Sequence, residues 1–353
     1  AATLALLVRG GPVVMMEACR WDTTDDGLMS EEYRSSGEWS FPWYRPRHVG
    51  RKQNKWKAHC PRFSAADFYG HKHEGFRWPV RYQEIAPYYT RIERILGVVG
   101  EASGEEDLPN GEFVGAFRTR VFEVDLARKL AERGLLLTQG RYAVYPAAME
   151  RSRNGAIALT RDRALERTID YFRPQGAFRN VLRPDPSFSM LLGAQALRIE
   201  TDSDSNRPEA VTFINRATGR EETLRASSVV LAAGCLESTK LLLHSTNERY
   251  PAGLGNTSGT LGRYLTDHTQ AGVFVRAPET VDMSDLNRDG IRRPEAFGSY
   301  LHAYTAAALR EAPELAGMYS FQVFGARRKG HTIIGFTGMG VMEPRAENGM
   351  RLT

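Results

Sequence analysis

Val229-Val230-Leu231-Ala232-Ala233 is an unbroken apolar run that stops at Gly234. From Cys235 to Ser245 the apolar positions return at helical spacing. A run of this kind predicts a strand covered on both faces, as in a doubly wound α/β sheet, followed directly by a helix. Near the N-terminus Ala1 to Arg9 predicts a short helix, stopped by Gly10-Gly11-Pro12, and Pro12 to Glu17 a strand that ends on an acid. Trp21 to Arg47 has no clear period and reads as a long loop, and Gly50 to Trp56 as a tight connection. Ile85, Tyr88 or Tyr89, Ile92 and Leu96 share one stripe of an amphipathic helix, with Pro87 in its first turn and Gly97 as its C-terminal cap. Asp125 is placed to cap a helix that runs to Arg133 and stops at Gly134, with a short strand over Leu135 to Thr138. Asp162 to Phe172 predicts a further helix, ended by Pro174. Ala196 to Glu200, Ala210 to Asn215 and Glu222 to Ala226 predict three short strands, with a solvated loop at Asp202 to Asn206 and a turn at Gly219.

At 353 residues the chain is long enough for about two domains. Its 42% hydrophobic and 25% charged content is that of an ordinary globular protein. No apolar run is long enough to cross a membrane as a helix. The first residues are apolar but lack the positively charged start of a signal peptide. Cys19, Cys60 and Cys235 are too widely spaced for a metal motif or a disulfide framework, so they read as buried or partly buried free thiols. Free thiols suit a reducing compartment, which favours the cytoplasm over the periplasm without fixing it. The net charge is +5, and residues 118 to 183 alone hold 14 Lys or Arg against 7 Asp or Glu. That local excess is a solvated, Arg-rich surface, a docking face for an acidic partner, or a site for an anionic substrate. No recognition motif accompanies it, so nucleic acid is not expected as a partner.

Candidate chemistry clusters at the ends of the predicted strands. Ala232, Ala233 and Gly234 lie where ligands approach open α/β sheets, and small residues let a cofactor reach the backbone there. Tight strand–helix packing would need small residues equally well. Glu17 is either an ordinary exposed acid or a carboxylate that accepts both hydroxyls of an adenosine ribose. A helix followed by a strand ending in an acid forms the second half of a dinucleotide-binding βαβ unit, and the strand and GxGxxG turn of the first half are absent from the sequence. The glycines at 253, 255, 259 and 262 do not follow a strand at GxGxxG spacing and read as a structural connection, with His268 beyond them as a structural histidine.

Four stretches carry a resemblance to a known family. They are Val13-Val14-Met15-Met16-Glu17-Ala18, the segment PRFSAADFYGHKHEGFRWPVRYQEIAPYYTRIERILGVVG from Pro61 to Gly100, LAAGCLESTKLLLHS from Leu231 to Ser245, and GLGNTSGTLGRYLTDH from Gly253 to His268. Together, and in this order, they resemble the glucose-methanol-choline (GMC) family of FAD-dependent oxidoreductases over most of the chain. The resemblance implies an α/β fold in which a discontinuous, incomplete Rossmann-like FAD-binding domain (1–70 and 186–275) accompanies an α+β substrate-binding domain built on an antiparallel sheet (71–185 and 276–353). It implies FAD as cofactor, with Glu17 and Ala18 at the ribose, Gly50, Asn54 and Trp56 in the loop that passes the flavin and its pyrophosphate, and Ala196, Ala233 and Gly234 along the adenosine. Arg51 stands where the family has a second glycine. Lys55 stands where some relatives carry the histidine that bonds to the flavin, so the cofactor is expected to be non-covalent.

The implied reaction is hydride transfer from a CH–OH group of an alcohol, sugar or polyol to FAD, with the electron acceptor left open. The family's base is a His paired with a second His or Asn beyond the matched region, so no catalytic residue and no metal ligand is assigned in this chain. The matched region starts after the phosphate turn and stops before the base, so the sequence reads as a piece cut at both ends and inactive alone. The alternatives are a non-catalytic binding or scaffold protein that keeps the fold, and a nicotinamide-dependent dehydrogenase.

Overall fold

A computed structural model describes residues 11–19, 34, 36, 59–69, 78–105, 108–143, 150–151, 157–158, 187–277, 281–286, 289–291, 298–302, 319–328 and 330–353. In chain order its elements begin with β1 (Val13–Glu17), α1 (Ala65–Tyr69), α2 (Tyr82–Leu96), β2 (Val98–Val99), α3 (Val121–Ala131), β3 (Leu136–Gln139), β4 (Tyr142–Ala143), β5 (Glu150–Arg151) and β6 (Ile157–Ala158). They continue with β7 (Phe188–Leu192), β8 (Ala194–Thr201), β9 (Pro208–Asn215), β10 (Arg220–Arg225), α4 (Cys235–His244), β11 (His268–Ala277), β12 (Ser299–His302), β13 (Tyr319–Arg328) and β14 (His331–Val341). The expected helices at 1–9 and 162–172, the long loop except Arg34 and Ser36, and the loop at 50–56 lie outside the described residues.

The chain forms two compact units, one of residues 1–52, 172–266 and 343–353 and the other of 53–171 and 267–342. Their borders differ from those expected of the sequence. Residues 53–70 and 267–275 go with the second unit, and 172–185 and 343–353 with the first. Contacts decide this: Arg62 is locked to α2, β11 pairs along its whole length with β14, and Met350 N donates to Gly262 O at 2.6 Å.

In the first unit β1 and β7 pair in parallel from Val13↔Phe188 to Glu17↔Leu192. The meander β8-β9-β10 is antiparallel, and its middle strand buries Ala210, Val211, Thr212 and Phe213 in succession. Gly219, at φ 70°, makes the β9–β10 turn, where a left-handed residue is needed and glycine adopts it without strain. Helix α4 is fixed to β8 at its C-terminal end. Buried Ser245 accepts the Ile199 N–H at 2.8 Å and donates to Leu241 O at 2.6 Å. The expected buried strand at 229–233 is not formed. Among the described residues no strand pairs with it, and Val230 is 55% exposed. An apolar, β-branched run supplies the preference for a strand, but a ladder also needs a neighbour at the right register.

In the second unit five strands form an antiparallel sheet in the order β11-β14-β13-β12-β3. The β13–β14 hairpin turns at Gly330, whose φ is 79°. Helix α3 covers one face: Ser299 on β12 donates to the buried Glu123 carboxylate at 2.9 Å. A separate core gathers Val99, Phe117 and Tyr142, with Val114 and Ile291 packed against it. Helix α2 ends at Gly97 in the left-handed region, φ 58° and ψ 56°, as its sequence predicts. Pro87 is its sixth residue rather than part of its first turn, because the helix starts at Tyr82, where the Glu84 side chain accepts the Arg81 N–H at 2.7 Å. Tyr89 lies on the inner stripe, and Tyr88 is 63% exposed. Asp125 is not a cap. It lies inside α3 and pairs with Arg128 and Lys129, while the Glu123 carboxylate accepts the Arg120 N–H at 3.3 Å where the helix begins.

Candidate cofactor-binding site

Glu17 is the last residue of β1, so its side chain emerges at the C-terminal end of a parallel pair, where such sheets bind ligands. Its Oε1 accepts the Cys19 N–H at 3.1 Å, which turns the carboxylate back over the strand end. Burial pushes the carboxyl above its ordinary value of 4.5, against the lowering effect of hydrogen bonds from the Cys19 and Ala18 N–H groups. Cys19 itself is buried, and its carbonyl accepts the Gly193 N–H at 3.1 Å. Gly193 is a residue that sequence reasoning misses. Its φ of 69° makes the tight turn from β7 to β8, and a glycine between two apolar runs is the signal that could have found it. One short loop thus ties the end of β1 to the start of β8, bringing Glu17, Ala18 and the β8 strand that carries Ala196 into one neighbourhood. At Ala196 the register with β9 shifts by a bulge.

Gly234 opens α4 with φ 87° and ψ 166°, a backbone that only glycine adopts readily. Ala233 before it is exposed, so among the described residues the helix start is uncovered. Cys235 is exposed too, not buried or partly buried as expected; Cys60 is half-buried, and none of the three cysteines is in a disulfide. Gly50, Asn54 and Trp56 lie outside the described residues.

The glycine run from Gly253 acts as a connection. Gly253 and Gly262 have φ of 111° and 80°, and any side chain at 262 would run into the Met350 carbonyl. Beyond it His268 is an exposed first residue of β11. Among the described residues no group of three or more His, Cys, Asp or Glu could hold a metal, and no helix is long and apolar enough to cross a membrane.

The residues that are described fit the adenosine half of FAD. A carboxylate oriented at a strand end can accept two vicinal ribose hydroxyls, and a positive-φ glycine preceded by an exposed alanine leaves room for a ligand against the backbone.

No family model matches the chain. Paromamine 6'-oxidase of Streptomyces fradiae is 32% identical over 221 residues, 59% of this chain and 38% of that protein. A 2-methyl-1,2-propanediol dehydrogenase of Mycolicibacterium austroafricanum is 28% identical over 64% of this chain and 41% of its own length. The fructose dehydrogenase large subunit of Gluconobacter japonicus is 26% identical over 70% of this chain and 47% of its own length. The matched regions thus span less than half of each of these relatives. Among solved structures, a formate oxidase of Aspergillus oryzae, studied for the modification of its FAD, superposes with a TM-score of 0.53 over 93% of this chain and 68% of its own at 14% identity, which shows a shared fold. With the ordered motifs of its sequence, these relatives and this fold, the chain is similar to the glucose-methanol-choline oxidoreductases.

Proposed function

We propose that the protein oxidises a CH–OH group of an alcohol, sugar or polyol and holds FAD non-covalently. Glu17 carries the reading: a half-buried carboxylate, aimed by the Cys19 N–H, at the end of the strand where the family meets the adenosine ribose. FAD, when bound, supplies the acceptor for the substrate's hydride. The chain's own part on the adenosine side is to bind and orient. Glu17 accepts the ribose hydroxyls, Ala18 and Ala196 lie along the same edge, and Ala233 and Gly234 leave space at the start of α4. The names of the relatives support an alcohol or sugar as substrate, since they include a propanediol dehydrogenase and a fructose dehydrogenase. Gly50, Asn54 and Trp56 complete the site by resemblance, at the flavin and pyrophosphate side.

The test is spectroscopic. The native full-length protein is loaded with FAD and freed of oxygen, and sugars, polyols and simple alcohols are added in turn. Loss of the oxidised-flavin absorbance on adding one of these compounds is the expected result. A protein that binds FAD but is reduced by none of them would support the scaffold reading, and one that instead reduces NAD or NADP would support a nicotinamide enzyme.

A further inference from the structure

The residues after α4 fold back on the helix and leave a cavity of about 580 Å³ between it and the glycine-rich connection. That volume lies within the range of small-molecule sites. The cavity starts at Thr239, five residues and about 7.5 Å along α4 from Gly234, so it is separate from the edge assigned to the adenosine. Bonds within the chain hold its wall in shape. Leu254 N donates to Leu242 O at 2.9 Å. Asn256 Nδ2 donates to Ala252 O at 3.0 Å, and Asn256 Oδ1 accepts the Leu261 N–H at 3.1 Å.

The hydrogen-bonding groups of this wall are unequally used. Acceptors are engaged: Leu242 O, Gly255 O, Thr260 O and Gly262 O take the N–H groups of Leu254, Thr257, Arg263 and Met350. Donors are spare. The backbone N–H groups of Gly255, Thr260 and Gly262 have no acceptor among the described residues. The half-buried Thr239 hydroxyl and the Arg263 guanidinium have no partner there either. No acidic side chain is among the described residues of the lining, and Arg263 is the ionised group it holds. A wall with spare donors and an unbalanced positive charge calls for a ligand that brings acceptors and negative charge. A single guanidinium balances a single negative charge, and its two parallel N–H bonds match a carboxylate. Leu242, Leu254 and Leu261 line the same space and leave an apolar surface for the rest of the molecule.

We propose that this cavity binds a small organic monocarboxylate. Its carboxylate meets Arg263 and the Thr239 hydroxyl, and its short apolar tail lies against the three leucines. The inference does not rest on the CH–OH oxidation proposed above, because the site lies away from the cofactor edge and its test reads binding rather than flavin reduction.

The experiment is calorimetric titration of the native full-length protein, with and without excess FAD. The probes are hexanoate, its neutral amide hexanamide, and acetate, which keeps the charge and lacks the tail. Hexanoate is expected to bind with one site per chain and at least about tenfold more tightly than either of the others, since each lacks one half of the recognition. From butanoate to octanoate affinity should rise by up to about fourfold per added methylene, as each enters apolar surroundings. The variants Arg263→Gln and Thr239→Val replace side chains that hold nothing else in place. Arg263→Gln is expected to weaken hexanoate about tenfold and to erase the preference over hexanamide, and Thr239→Val to weaken it about threefold. FAD should leave all of these affinities unchanged. A wild-type protein that does not bind hexanoate at millimolar concentrations, or binds hexanamide equally well, would overturn the inference. So would an Arg263→Gln protein within about twofold of wild type, the scale of an exposed ion pair that contributes nothing. Competition between hexanoate and FAD would place the carboxylate in the cofactor site and overturn it as well, while leaving the oxidation reading standing.

Discussion

Arg62 and Glu93 form a buried two-point ion pair in which Nε donates to Oε1 at 2.7 Å and Nη2 to Oε2 at 2.5 Å. Thr90 and Tyr82 accept further bonds from the same guanidinium, and the Glu112 N–H donates to Glu93 Oε2 at 3.1 Å. The pair thereby joins the segment before α1, helix α2 and the loop at Gly111-Glu112. It also explains a charged residue on the inner stripe of α2. Glu93→Gln keeps the volume but leaves the Arg62 charge uncompensated, and is expected to cost about 3–5 kcal/mol. The double replacement Arg62→Met/Glu93→Leu should cost less than Glu93→Gln alone, since no buried charge is then stranded. Urea unfolding of the three variants checks both statements. A Glu93→Gln protein within about 0.5 kcal/mol of wild type, the scale of an ordinary surface change, would show that the pair carries no stability.

Glu17 should trade stability against affinity. Its carboxyl is raised above 4.5 in the folded protein, so the native state holds its proton more tightly than the unfolded chain does. Stability is then lost as pH rises through the window above 4.5, because ionising the half-buried group is penalised. Glu17→Gln removes that penalty and should melt no lower than wild type at neutral pH. Its FAD dissociation constant should nevertheless rise about ten- to a hundredfold, from roughly 1.5–3 kcal/mol of charged hydrogen bonding lost at the ribose. Melting curves paired with a flavin fluorescence titration separate the two effects, and unchanged affinity would remove Glu17 from the ribose site.

His59 gives the opposite pH dependence. Its folded pKa is pushed from 6.5 down to about 4 by burial. Between these values the unfolded chain binds the proton and the native state resists it, so stability falls as pH drops from 6.5 towards 4 and levels off below. A shift of that size corresponds to about 3 kcal/mol at most. His59→Phe should lose this slope and be relatively more stable than wild type at pH 4 than at pH 7. Parallel stability curves for the two proteins across this range would rule out a buried neutral imidazole.

Two glycines in one loop separate strain from collision. At Gly255, φ 77°, an added Cβ would have nothing within 4 Å, whereas at Gly262, φ 80°, the same atom would strike the Met350 carbonyl. Gly255→Ala should cost about 1 kcal/mol from the left-handed backbone alone. Gly262→Ala should cost about 1–3 kcal/mol more, since the strand-like contact with Met350 must also move. Equal melting temperatures for the two variants would show that the tail around Met350 yields freely.

The sequence by itself determined the elements whose signals are local. The acid at the end of β1, the left-handed cap at Gly97, the meander from Ala194 to Arg225 with its Gly219 turn and the start of α4 after Gly234 all follow from period, capping and turn chemistry. The ordered family motifs likewise carried the fold class. Tertiary structure decided whatever depends on a partner distant in the chain. Residues 229–233 have the composition of a buried strand yet form no ladder, because pairing needs a neighbour that composition does not supply. Asp125 has the chemistry of a cap but sits inside the helix, because the helix begins four residues earlier at Val121, where the Glu123 carboxylate accepts the Arg120 N–H. Gln322 is an amide in an alternating strand and carries no motif. Only the packing brings it against His59, 263 residues away in the chain, because what a side chain touches is fixed by tertiary structure and not by its place in the sequence.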